Sequence, residues 1–178
     1  MPTGTKKGLN PARKVGSAPD NKGLNTYSIA SGYGTTIGLD DPVKLVAGLL
    51  ERATNDTADS IGVFAGVSYT DVQGAPVFSK IWPASTVASD IVALVLDDPM
   101  ATFQGVANAD ISAVVRGEIY AMTTTDADTF TGQSTMEIDV AAGAVASTAG
   151  LVKVISIVDV DNRVLECVLV DHDLRDDA

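Results

Sequence analysis

The sequence predicts an all-β, mainly antiparallel protein: a compact β-barrel or sandwich body with an extended N-terminal arm. Three observations predict it. Apolar residues make up 46% of 178, enough for a real core, and they are mostly small residues and Val rather than aromatics. Short apolar runs, several of them alternating, recur along the chain between clusters of Gly, Pro, Asn and Asp, the spacing of strands and tight turns. The charge is also split. Residues 1–22 hold five basic residues against one acid, a net of +4. The remaining seven basic and 22 acidic residues give −15.

Residues 1–24 contain Pro, Gly, Asn and Lys with only isolated aliphatics, so they are expected to be unstructured alone and to order on a partner. The candidate docking residues of this arm are Lys6, Lys7, Leu9, Arg13, Lys14, Val15 and Lys22. The cations would meet acidic partner groups, and the two aliphatics would fill small pockets. Residues 25–178 form the second unit, the β-rich domain. In Asn25–Ile37 the spacing of Tyr27, Ile29, Tyr33 and Ile37 reads as a strand with a glycine-permitted bend. Asp40-Asp41-Pro42 makes a turn or a helix start. Val43–Arg52 fits a helical face capped by Asp41, or two short strands around Gly48; the β character of its neighbours favours strands. Ala53–Ser60 is a polar loop.

Ile61–Trp82 is the segment around which the body is expected to form. Two strands flank Asp71–Pro76, where Gly74 can take a positive φ and Pro76 biases Ala75 towards an extended conformation. Phe64, Tyr69, Phe78 and Trp82 fall here, an aromatic concentration that marks the core of the hairpin. Ala84–Asp90 is a small-residue connection. Ile91–Leu96 is a buried strand stopped by Asp97-Asp98-Pro99. Apolar residues from Phe103 to Val115 lead to Gly117–Met122, and Thr123–Gln133 is Thr/Asp-rich and exposed. Ser134–Val140 alternates as a half-buried strand, and Ala141–Gly150 is a loop. Leu151–Val160 and Arg163–Val170 are two strong strands around the Asp161-Asn162 turn. Asp171–Ala178 is acidic and expected to fray.

No catalytic constellation stands out. With one Cys and one His, Cys167 and His172, no Cys/His zinc site can be assembled. Asp126/Asp128 and Asp159/Asp161/Asn162 offer oxygens but lack the spacing of a calcium loop, and no carboxylate pair is singled out among 23 acids. No catalytic residue, cofactor or metal is therefore expected. The acidic body is a poor partner for nucleic acid or anionic lipid. No apolar run of signal-peptide length follows the N-terminal lysines, and Ile91–Leu96 is too short to cross a bilayer. The expectation is a soluble chain made in the cytosol.

One stretch carries a resemblance. Tyr27-Ser-Ile-Ala-Ser-Gly-Tyr-Gly34, Gly38-Leu-Asp-Asp-Pro-Val43, Gly62-Val-Phe-Ala-Gly-Val-Ser-Tyr-Thr-Asp-Val-Gln-Gly74, Phe78–Pro83, Val95-Leu-Asp-Asp-Pro99 and Phe103-Gln104 resemble, in this order, tailed-bacteriophage capsid decoration (cement) proteins. The resemblance covers roughly residues 25–105, and more loosely the Val154–Val170 hairpin; Thr123–Gly150 does not match strongly. It implies a small β-rich protein made in the host bacterial cytoplasm and bound to the outside of the virion shell where major capsid subunits meet. Such proteins commonly cluster as homotrimers, and a dimer is also possible. The family has no catalytic residues to carry over. An alternative from a different class is a glycan-binding or host-adhesion module of a head fibre or spike, stacking sugars on Tyr33, Tyr69, Tyr120 or Trp82.

Overall fold

The computed structural model describes residues 7–15, 23–54, 59–146 and 149–172. Among these residues there is no helix. The strands are β1 (Asn10–Lys14), β2 (Asn25–Tyr27), β3 (Pro42–Val46), β4 (Leu49–Arg52), β5 (Asp59–Ser60), β6 (Gly62–Thr70), β7 (Pro76–Ser79), β8 (Ser89–Leu96), β9 (Ala101–Val106), β10 (Ile119–Tyr120), β11 (Val152–Asp159), β12 (Val164–Leu169) and β13 (Asp171–His172). Eleven of them build two antiparallel sheets, and β5 and β13 form a separate parallel pair. One has the order β1-β9-β12-β11-β10. The other has the order β2-β8-β6-β3-β4, with β7 also paired to β6. The all-β, mainly antiparallel class read from the sequence is the one observed; the extended N-terminal arm is not, since β1 within it pairs with β9.

Local turn chemistry accounts for the hairpins. In the central one, Asp71 Oδ1 accepts from Gln73 N–H and Ala75 N–H, and Gly74 takes φ +81°. The ambiguous segment 43–52 is two strands. Val46 pairs with Leu49 across Ala47 and Gly48, both at positive φ, as a two-residue hairpin loop requires. The β11–β12 turn runs from Val160 to Arg163. Asn162 is held by Asp159, and the positive φ falls on Arg163.

Two buried clusters fill the body. One lies against the five-stranded sheet and holds Phe103, Met122, Met136, Ile138, Val154, Leu165 and Cys167. The other lies on the six-stranded sheet and holds Phe64, Trp82, Ile37, Val43, Leu50 and Val95, with Tyr69 edge-on to Trp82 at 5.4 Å. Strand β6 serves both through a bulge. Phe64 pairs with Val95 and Gly66 with Leu94, so Ala65 is the extra residue and side-chain parity switches there. Phe64 before the bulge and Val67 after it therefore reach the same cluster, while Val63 enters the other.

Several sequence expectations are corrected. The strand read over Asn25–Ile37 is only β2; the chain then turns at Gly32, and Ile37 returns as a single bridge to Trp82. Ser134–Val140 buries alternate residues as expected, with Met136 and Ile138 fully enclosed, but it makes isolated bridges rather than a ladder. The chain at Asp171–His172 is not frayed. It pairs in parallel with β5, and His172 is buried. Phe78, expected in the core, is 84% exposed. Strand β7 ends at Ser79, so Trp82 lies beyond it and its inward direction says nothing about Phe78.

Candidate functional site

The outer face of the six-stranded sheet is built by three strands in register. Ser68 of β6 lies opposite Phe78 of β7 and opposite Val92 of β8, so these side chains point the same way. Leu94 stands two residues further along, opposite Gly66 and Thr26. The opposite parity of these strands, Val67, Tyr69 and Ala93, goes to the buried cluster. Gly66 supplies no side chain, and a groove of about 380 Å³ opens there between Phe78, Lys80 and Leu94. A second hollow of about 370 Å³ meets it at Ala65 and continues past Leu24 and Leu96 to Pro11. The lining is mainly apolar.

Phe130, at 97% exposed, stands on a turn beside this face. Asp128 Oδ1 accepts from the N–H groups of Phe130 and Thr131, and Gly132 N–H closes the turn on the Asp128 carbonyl at 2.7 Å. A side chain at Gly132 would meet the Cβ of Lys80 at 3.3 Å, so the turn abuts the residues just after β7. Phe78 and Phe130 are thus each two residues from that contact. Two of the four phenylalanines in an aromatic-poor chain stand in solvent on neighbouring segments, while Phe64 and Phe103 are enclosed. Sequence pattern did not find them: Phe78 reads as core and Phe130 lies in a polar loop.

The expected arm residues lie elsewhere than predicted. Residues 7–15 are not shapeless. Strand β1 is the edge of the five-stranded sheet, antiparallel to β9. Leu9 is fully enclosed in the chain's own core. Lys7 pairs with Glu137 at 3.3 Å and Lys14 with Asp98. Arg13 grips Glu166 with two bonds, Nε to Oε1 at 2.6 Å and Nη2 to Oε2 at 3.0 Å. Val15 is 41% exposed. Lys6 and Lys22 lie outside the described residues. The cations do seek acids, as their charge implies, but the acids belong to the same chain. Arg13 holds the Glu166 carboxyl below its ordinary range by hydrogen bonding, against the effect of burial, and Lys14 does the same for Asp98.

The acidic motifs are structural. Asp97 accepts from Asn25 Nδ2 and from the Tyr27 hydroxyl at 2.6 Å, and so joins β2 to the end of β8. Asp41 is fully enclosed and takes the Gly38 N–H at 2.7 Å. Burial, partly offset by hydrogen bonds and Arg52, pushes its carboxyl up to about 6. Asp126 pairs with the buried Arg52 at 2.7 Å, and Asp159 binds Asn162. Among the described residues, no group of three or more His, Cys, Asp or Glu could hold a metal ion. Of the expected sugar platforms, Trp82 and Tyr120 are buried and Tyr33 and Tyr69 are half-buried. No protein-family model, curated protein or solved structure matches the chain.

Proposed function

We propose that the chain is a virion structural protein: a capsid decoration or cement protein that binds the outer surface of a phage head, where major capsid subunits meet, and slows their separation. The observation that carries this reading is the pair of exposed phenylalanines, Phe78 on an apolar groove and Phe130 on the turn that abuts Lys80 of the same groove. Burying each ring against a partner is worth about 1.5–3 kcal/mol. A single chain with two such anchors binds modestly, and a homo-oligomer, a trimer in this reading, gains through effective concentration. The resemblance over residues 25–105 supports the same partner class. The contact surface is this face and not the N-terminal segment, because Leu9 and Arg13 are already engaged inside their own chain.

The test is binding to empty, expanded shells, read by co-sedimentation. Wild-type protein should decorate them. The Phe78→Ser/Phe130→Ser double variant should keep its thermal midpoint, because neither ring is packed, and lose decoration. Full decoration by the double variant would remove the basis for this docking face.

A further inference from the structure

Strand β1 fits the body as a separable piece. Its partners lie far along the chain: Leu9 N–H donates to the Asp40 carbonyl at 2.8 Å, Gly8 N–H to Met136 at 2.9 Å, and Val15 N–H to Met100 at 2.8 Å. Arg13 N–H donates to the Thr102 hydroxyl, whose one hydrogen has two acceptors in reach, the Arg13 carbonyl at 3.0 Å and Glu166 Oε1 at 2.9 Å. Two glycines shape the seat. Gly8 takes φ +82°, and a Cβ there would come within 2.7 Å of the Asp40 carbonyl and the Ser134 Cβ. A Cβ at Gly105 would come within 2.9 Å of Ile138 and 3.3 Å of Leu9. Residues 7–15 contribute three cations, Lys7, Arg13 and Lys14, and the seat contributes three acids, Glu137, Glu166 and Asp98. With the strand in place the side chain of Glu166 is only 8% exposed, and Arg13 and Thr102 are its partners there, so a seated strand encloses this carboxylate together with its counter-charge.

We infer that this seat is an acceptor for the same strand of a second copy, and that copies of the chain associate by exchanging residues 7–15. Every contact that holds β1 is indifferent to which chain donates it, so strand binding in trans keeps the full set. The strand joins the five-stranded sheet, whereas the next strand in sequence, β2, belongs to the other sheet. The two are joined through Gly16–Gly23, which contains no large apolar residue. Exchange of an identical element is a low-cost route to oligomers because it creates no new interface chemistry. The charge pattern selects the occupant: a +3 strand for a −3 seat, from a chain whose remaining residues are acidic and otherwise repel one another.

Two full-length variants test it. In Arg13→Glu and in Glu166→Arg, each chain alone brings like charges together at the seat. Mixed, Arg13 of one chain meets Glu166 of the other, and the altered pair of charges also matches. Native mass spectrometry of the mixture should show a complex of both chains at least about tenfold more abundant than either self-complex. A mixture containing only single chains overturns the proposal. Should either variant fail to fold, Asn10→Cys/Gln104→Cys answers the same question. These positions are register partners, and opposed antiparallel residues lie at ~4.5–5.5 Å between Cα atoms, within disulfide reach. After oxidation at high protein concentration, chains joined to one another on a denaturing gel support exchange. Chains running only at single-chain mass overturn it.

Discussion

Asp41 shows how much one side chain can set. It follows Asp40 and precedes Pro42, and from sequence it is a turn former. In the fold it is fully enclosed, with Arg52 and Asp40 as its charged neighbours. Its carboxyl, pushed up to about 6 mainly by burial, sits above the ordinary 3.8. Between those two values the folded chain holds a proton that the unfolded chain has released. Stability therefore falls as pH rises through this window, and above it the enclosed charge is a standing cost. Asp41→Asn should flatten that slope, read by urea unfolding at about pH 4, 5, 6 and 7. An unchanged slope would show that Asp41 titrates normally. Glu166 and Asp98 act in the opposite direction. Their carboxyls are held low, so their contribution is present above the ordinary carboxylate range and is lost on further acidification. At this scale the sequence was least legible. Phe78 and Asp41 each take a side opposite to the one their residue type suggests, because burial is decided by segments tens of residues away.

At the scale of elements, legibility followed distance along the chain. The β6–β7 and β11–β12 hairpins were readable because their turns carry their own chemistry, Asp71 with Gly74 and Asp159 with Asn162, whereas the β3–β4 segment, marked only by Gly48, fitted a helix as well as two strands. The pairing of β13 with β5, and of β1 with β9, was not readable. Nothing local in Asp171-His172 points to Ser60, and nothing in a Lys- and Pro-containing segment points to Gln104. The basic character of β1 was visible; that its acidic partners lie in the same chain was not. Leu9 is the apolar anchor of this strand. Leu9→Ala should cost about 2–5 kcal/mol of unfolding free energy if β1 unfolds with the body. A loss below about 1 kcal/mol in chemical denaturation would instead mean that β1 detaches before the body unfolds.

For the whole molecule, the dominant quantity is charge. Asp90, exposed on β8, and Asp71, half-buried just after β6, lie at the ends of the strands beside β7, and the formal net charge is −11. A partner surface that meets this face should be basic, so decoration should weaken as salt rises from about 0.05 to 0.5 M, as screening shortens to a few ångströms. Salt-independent binding would assign the contact to the phenylalanines alone. The enclosure of Cys167 has a practical corollary. It is fully buried, and its thiol is pushed up to about 12 by burial, so at neutral pH almost none of it is thiolate. The folded protein needs no reductant on the bench. A fluorophore or spin label aimed at any cysteine introduced on the exterior will therefore attach at that position and nowhere else.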